Sequence, residues 1–493
     1  MKIQLKQHLS ALDSNQIDAL EQVIFIVPKA DHSNEWGRIP YKKVIGERFR
    51  RGKSRGQSTN PFTIDLPNDK GTRITFWQLD PELGTFELLG LARKIIQHAK
   101  TQGSETVTVQ LQKLPIGSHN TLIDALLSAQ YAANWPITSF KSGKNDKKPS
   151  KRLHVYGLKK SVDVRQSAAT SEGTNIARNL TQLPPNVLTP GEYRKRIRKL
   201  ATQFGWQHKF YSKTQLEQKK AGAFVAVLEA SEKSTGGLVH LRYQPARRPK
   251  KTLALVGKGL CYDTGGINLK PAKFMYGMHE DMEGSAVALG TLIALSRMKV
   301  DYAIDCYLAL AVNDIGPKGF RPNDVITASN GTTIEIVHTD AEGRMVLADT
   351  LAIASKAKPD LIMDYATLTG SCVAALGTTY SGVFTNRDEY HHDIIAAGRS
   401  SGERVWPFPQ DKDYDGALNS KIADIKQCTV GGGPDHILAA RFLSRFVEKD
   451  VPWIHIDLSA GNNKGGLAHI PTETTGFGVR FSVELLQSKT FNN

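Results

Sequence analysis

Asp340 and Glu342, with Arg344 two residues further on, put two carboxylates and a guanidinium into the heptapeptide His338-Thr339-Asp340-Ala341-Glu342-Gly343-Arg344. Carboxylate oxygens are hard ligands suited to divalent Zn, Mn or Mg, and a guanidinium is a planar fork that clamps anions. Together they are the parts of a hydrolase that keeps a metal beside an anion. One pair of carboxylates cannot fill a coordination sphere, so further ligands have to come from elsewhere in the chain. Lys258 and Asp263 stand upstream in Gly257-Lys258-Gly259-Leu260-Cys261-Tyr262-Asp263-Thr264-Gly265-Gly266, followed by Lys270 in Asn268-Leu269-Lys270-Pro271 and Asp281 in His279-Glu280-Asp281-Met282-Glu283-Gly284. Divalent cations held in a protein interior need a high local count of negative charge. Four acids supply it here.

The elements that must position these residues are legible as changes of hydrophobic period. Residues 334–337 are mostly β-branched and apolar, as in a buried strand, and apolar residues over 345–354 recur at helical spacing. The acidic heptapeptide is therefore expected at the C-terminal edge of a strand, where open α/β sheets keep their ligand crevice. A β-rich run over 252–256 breaks on glycines, which predicts that Lys258 and Asp263 lie in a loop, and a helical pattern follows over 284–298. Further strands are expected at 303–312, 360–365 and 453–457 and a helix at 434–448, an alternation that predicts an α/β/α arrangement with a central mixed sheet flanked by helices. Upstream, a helix at 86–100 and strands at 106–111 and 153–156 predict a smaller α/β domain. A chain of 493 residues exceeds what one core holds. The boundary is placed within 161–175, where Ser, Thr, Gln and Gly accumulate, giving an N-terminal α/β domain over 1–165 and a C-terminal catalytic domain over 166–493.

Taken singly, Gly-Lys-Gly reads as a turn, Asp281 as a helix cap and the heptapeptide as an acidic helix start. Their joint order does not. GKGxxxDTGGxxxKP, then DMxG, then TDAEGR resembles the leucyl (cytosol) aminopeptidase family of dinuclear metallopeptidases. Ala177-Arg178-Asn179-Leu180, Asp364-Tyr365-Ala366-Thr367-Leu368-Thr369-Gly370, Gly402-Glu403-Arg404-Val405-Trp406 and Thr475-Gly476-Phe477-Gly478-Val479-Arg480 extend the resemblance over most of the C-terminal two-thirds. It is weak in the N-terminal region.

The resemblance implies that Lys258, Asp263, Asp281 and Glu342 hold one metal while Asp263, Asp340 and Glu342 hold the other, two divalent ions per subunit, Mn or Zn first and Mg or Co next. It implies that Lys270 stabilises the oxyanion and that Arg344 holds a bicarbonate ion as general base. Met275, Thr367, Leu368, Thr369 and Gly370 would shape the substrate pocket, and the region after Asp457 would contribute. The implied activity is removal of N-terminal residues, bulky apolar ones by preference, from peptides by a homohexamer. A lysine ligand must be a neutral amine, because an ammonium has no lone pair to offer. His338 and His279 depart from the family pattern and read as surface or core histidines; Glu280 and Glu283 read as solvated helix-face acids.

Cys261, Cys306, Cys372 and Cys428 show no CxxC spacing, which fits a reducing compartment. The first nine residues lack a signal-peptide core and no apolar run approaches about 18 residues, so a cytoplasmic protein without a membrane span is expected. Residues 1–250 carry 41 Lys and Arg against 20 Asp and Glu, and residues 251–493 carry 23 against 28. The basic excess thus lies outside the catalytic motifs, in 48–55, 141–152, 193–199 and 246–251. Such clusters could face nucleic acid. Without a helix-turn-helix, zinc-finger or aromatic RNA-binding signature, a solvated surface is the favoured reading. A nucleic-acid-binding regulator and an inactive scaffold are the two rival functions.

Overall fold

The structure is a computed structural model that describes residues 3–103, 105–143, 150–231, 235–488 and 491. The chain divides into two compact units, residues 1–168 with 467–471, and residues 169–466 with 472–493.

In the first unit, strands β1 (Gln4–Gln7), β2 (Gln22–Pro28), β3 (Phe62–Asp65), β4 (Arg73–Leu79), β5 (Thr106–Leu111) and β6 (Arg152–Tyr156) form one sheet in the order β1-β6-β5-β2-β4-β3. Its pairs are parallel except β3 with β4. The two-residue period of a strand sends alternate side chains to opposite faces. Along β2, Val23, Phe25 and Val27 join a core with Trp36 and Phe49, while Ile24 and Ile26 join one with Leu89, Ile96 and Leu126. Helix α1 (Lys42–Ser54) belongs to the first core; α2 (Thr85–Thr101) and α3 (Ser118–Asn134) belong to the second.

The second unit is built on strands β7 (Gln207–Tyr211), β8 (Gly237–Tyr243), β9 (Thr252–Asp263), β10 (Ala303–Asn313), β13 (Leu361–Ala366), β14 (Ser381–Thr385), β15 (Val405–Pro407) and β17 (Trp453–Asp457), in the order β15-β14-β17-β13-β9-β10-β8-β7. The sheet is mixed, with β17, β13, β9 and β10 parallel at its centre. A second, three-stranded sheet joins β11 (Val325–Thr327), β12 (Thr333–Glu335) and β16 (Ile425–Lys426). The strand expected before the acidic heptapeptide is β12, so it belongs to this small sheet and not to the central one. Its apolar character comes from Ile334 and Ile336, which pack into the main core.

Helices α4 (Arg165–Thr181), α5 (Pro190–Phe204), α6 (Glu283–Met298), α7 (Glu342–Ser355), α8 (Asp435–Ser444) and α9 (Val479–Leu486) follow. The division between units falls between 168 and 169, inside α4. Both α6 and α7 are buried along nearly their whole length. A helix that is enclosed on all sides has no polar stripe to display, and the polar residues that α7 does carry, Glu342, Arg344 and Asp349 among them, are buried with the apolar ones.

The loop expected at Lys258 is a strand. β9 runs through Gly257 and Gly259 to Asp263, because these glycines mark close packing against a helix. A Cβ on Gly257 would lie 2.4 Å from the Cα of Ser285, and one on Gly259 would lie 3.0 Å from the Ser285 Oγ, both at the start of α6. Lys258, one residue out of phase, points to the opposite face, where its stem packs on Gly343 of α7.

Candidate metal centre

Four strand ends and two helix starts converge. Asp263 is the last residue of β9, Asn313 pairs with it as the last residue of β10, Thr367 follows β13 and Asp457 ends β17. Asp281 lies two residues before α6, Glu342 opens α7 and Asp340 lies two residues ahead of it, near the helix starts whose exposed N–H groups favour negative charge. All of these except Asn313 and Glu342 line a cavity of about 1030 Å³ that also includes Lys258, Lys270 and Arg344.

Donor oxygens of Asp263, Asp340 and Glu342 lie within 4.8 Å of one another. Lys258 Nζ is 2.8 Å from Asp281 Oδ1 and 3.2 Å from Glu342 Oε1, and donates to the Thr367 carbonyl at 3.0 Å. Lys270 Nζ is 2.9 Å from Asp263 Oδ2 and also contacts Asp340 Oδ1. Asn313 Nδ2 donates to Asp263 Oδ1 (2.9 Å) and Glu342 Oε2 (3.1 Å), tying the two acids together. Sequence reasoning missed Asn313; a polar residue ending an apolar strand run was the available signal.

Burial and mutual repulsion raise the acids together. Asp281 and Glu342 are pushed above the ordinary carboxyl range chiefly by burial, with Asp263 adding like charge, and Asp340 is raised in the same way. For Lys258, burial opposes the charged form, but the fields of Asp281, Glu342 and Asp263 outweigh it and hold the group above the usual lysine value. Lys270 is raised by the same balance. Four carboxylates facing two ammonium groups leave a net negative charge in a buried cavity, a demand for further cations. Asp281 Oδ2, buried without a hydrogen-bond partner, is a ready ligand atom.

The stretch expected to shape a substrate pocket, Thr367, Leu368, Thr369 and Gly370, lines the cavity. Asp457 anchors it by accepting from Leu368 N (3.0 Å) and Thr369 Oγ1 (2.6 Å), while Thr367 Oγ1 donates to Asp281 Oδ1 at 2.7 Å. Met275 is not among the lining residues; Met278 is, together with Phe274, Leu269, Val373 and Leu458. The turn at Gly277, with φ of 96°, separates the short helix carrying Met275 from the segment carrying Met278.

His338 is a surface residue, as one of its readings had it; its Nδ1 accepts from Asp340 N at 3.2 Å and it helps to line the cavity. One other reading is corrected. Glu283 is not solvated but 1 % exposed, held against Gly461, with its carboxyl raised well above the usual range by burial and by Glu280. The four cysteines are free and buried.

Arg344 is 2 % exposed. Its Nη1 donates to the Gln427 carbonyl at 3.0 Å and its Nη2 to Asp435 Oδ2 at 2.7 Å, while Nε is buried without a partner. The fork expected to clamp bicarbonate is already engaged by a carboxylate of the chain itself. An exogenous anion at that position does not fit these side chains.

Residues 175–483 match the cytosol aminopeptidase family, catalytic domain. A probable cytosol aminopeptidase of Wolbachia pipientis wMel is 34 % identical over 469 residues, covering 92 % of this chain and 91 % of that one. Another, of Prochlorococcus marinus subsp. pastoris, is 34 % identical over 491 residues, covering 95 % and 96 %. A solved structure of a tomato leucine aminopeptidase mutant superposes with a TM-score of 0.85 at 26 % identity, covering 100 % of this chain and 97 % of that one.

Proposed function

The chain belongs to the cytosol aminopeptidase family and is a metal-dependent aminopeptidase, and from that premise we propose that it removes N-terminal residues, preferentially bulky apolar ones, from peptides at the cavity between β9, α6 and α7. The observation that carries this reading is the meeting of Lys258, Asp263, Lys270, Asp281, Asp340 and Glu342 in one buried cluster. Two divalent ions, Mn or Zn first and Mg or Co next, would be held by Lys258, Asp263, Asp281, Asp340 and Glu342, with Asp263 and Glu342 shared. The donor set fits: hard oxygens, one of them without a partner, at a density of charge that only cations relieve. When bound, such ions polarise the scissile carbonyl and bring the pKa of water toward neutrality.

The chain's own groups do the rest. Lys258 must release its proton before it can offer a lone pair, so loading the site is coupled to proton release. Lys270 keeps its charge beside Asp263 and Asp340 and supplies a cation where the carbonyl oxygen becomes negative. The substrate's free α-amine would be a ligand for one of the ions these residues hold, which would restrict cleavage to the chain terminus. Phe274, Met278, Leu269 and Val373 give the first side chain an apolar wall. By the same family resemblance, the working assembly is proposed to be a homohexamer.

The test is hydrolysis of leucine p-nitroanilide by chelator-treated protein with Mn, Zn, Co or Mg restored singly, and Glu342→Ala as control. Release of nitroaniline that depends on metal and is lost in the variant is expected. No hydrolysis with any metal or any of a panel of N-terminal residues would sink the proposal.

A further inference from the structure

We propose that Asp435 is the general base of this enzyme, occupying with its own carboxylate the position at Arg344 that the family resemblance assigns to bicarbonate. The inference rests on the aminopeptidase reading given above. Arg344 lies in the first turn of α7, two residues beyond Glu342, and its buried side chain reaches the first residue of α8. There Asp435 Oδ2 accepts from Nη2 at 2.7 Å. A carboxylate presents to a guanidinium the same O–C–O edge and the same single negative charge as bicarbonate. With Nη1 and Nη2 engaged only the buried Nε is left, and a second anion there would meet the negative charge of Asp435 beside it.

The delivery of Asp435 is specified by the chain. Gly431, Gly432 and Gly433 all have positive φ (91°, 88° and 103°), a run that side-chain-bearing residues rarely adopt. Pro434 then leads into α8. The Asp435 side chain is 29 % exposed and lines the same cavity as Lys258, Asp263, Asp281 and Asp340. Its Oδ1 accepts no hydrogen bond from the described residues, so one oxygen is fixed by arginine and the other is free to face a water.

In the step assigned to it, the attacking water gives one proton to Asp435 as its oxygen bonds to the scissile carbonyl carbon, and the carbonyl π pair moves onto the oxygen facing Lys270. That pair then re-forms the C=O bond. The C–N pair leaves on nitrogen, which takes the proton from Asp435 and departs as the amine. No proton or electron is left over, and the carboxylate is regenerated.

The experiment compares the metal-loaded wild type with Asp435→Ala and Asp435→Asn in carbon-dioxide-free buffer, with and without added bicarbonate. The wild-type rate is expected to be indifferent to bicarbonate. Both variants are expected to lose about 10²- to 10⁴-fold in kcat. Bicarbonate should restore Asp435→Ala saturably but not Asp435→Asn, whose amide fills the space. Labelled bicarbonate followed by carbon-13 NMR should broaden with Asp435→Ala and not with the wild type, a readout independent of turnover. A wild type that works only with bicarbonate, an Asp435→Asn protein with wild-type kcat, or a folded Asp435→Ala that bicarbonate does not rescue would each overturn the assignment. If Asp435→Ala does not fold, the first two outcomes decide. A wild type inactive in both buffers overturns the aminopeptidase reading and this proposal with it, whereas an active, bicarbonate-dependent wild type overturns this proposal alone.

Discussion

Lys258 and Lys270 are the same residue type in one acidic cavity, and their surroundings separate their tasks. Lys258 is enclosed, its stem pressed on Gly343, where an added Cβ would lie 2.5 Å from Cε and 2.7 Å from Nζ. Gly343→Ala must therefore displace the amine from Asp281 and Glu342. It is expected to weaken metal affinity by about 10- to 100-fold, as loss of a positioning contact does, measured by metal-buffer titration; unchanged affinity would show that Lys258 is not needed at its present place. Lys270 is more open and retains its charge between two carboxylates. Its replacement by Met is expected to lower kcat by about 10²- to 10³-fold with little change in KM, the signature of a group used in the transition state. Equal effects on kcat and KM would argue for a binding role instead.

At the scale of elements, the site exists because α6 can approach the sheet. The Cα of Gly284 faces the backbone of β13: an added Cβ would lie 2.1 Å from the Tyr365 carbonyl oxygen, which cannot rotate away. Gly284→Ala is expected to cost about 1–3 kcal/mol or more by overpacking. A lower urea midpoint at unchanged slope would report it, and an unchanged midpoint would mean that helix and strand have slack. The start of α9 supplies a second, pH-dependent case. Glu403 Oε2 accepts from Gly478 N and Phe481 N, both at 2.8 Å, and burial pushes its carboxyl up to about 7 despite these bonds and Arg480. The folded chain thus holds a proton that the unfolded chain gives up near the ordinary 4.5. The stability this group adds is complete below about pH 4.5 and is lost as pH rises through about 7. Glu403→Gln, which keeps an acceptor but no titration, is expected to flatten Tm against pH over that window in calorimetry. A slope equal to that of the wild type would assign the effect elsewhere.

For the whole molecule, the uneven charge has a plain structural setting among the described residues. In α1, Ile45, Phe49 and Gly52 are buried while Arg48, Arg50, Arg51 and Lys53 are exposed; in α5, Tyr193 and Ile197 are buried while Lys195, Arg196, Arg198 and Lys199 are exposed. These are the solvated faces of amphipathic helices. Within the cluster at 141–152, residues 144–149 lie outside the described part. No helix among the described residues is long and apolar enough to cross a membrane. Duplex DNA at sub-micromolar protein and physiological salt is expected to show no mobility shift; a salt-sensitive shift that survives Glu342→Ala would revive the regulator reading. Light scattering is expected to give the mass of six chains, and a monomer would refute the proposed assembly.

The acids that meet in the cavity were legible in the sequence because each travels on a short segment whose residue types are themselves the chemistry: Asp340 and Glu342 in one turn, Asp263 before two glycines, Asp281 at a helix start. Helical and strand periods likewise exposed α6, α7, β10 and β17, since burial on a fixed face leaves a repeat in the residues that cause it. What the tertiary structure alone decided are the encounters between distant segments. Asn313 reaches Glu342 across 29 positions, Arg344 meets Asp435 across 91, and Gly257 admits Ser285 into the space its missing Cβ leaves. A glycine that breaks a strand and one that receives a helix have the same letter. An arginine that clamps a free anion and one already held by a carboxylate differ only in what another helix brings to it, and that depends on packing geometry, which no local pattern of residue types carries.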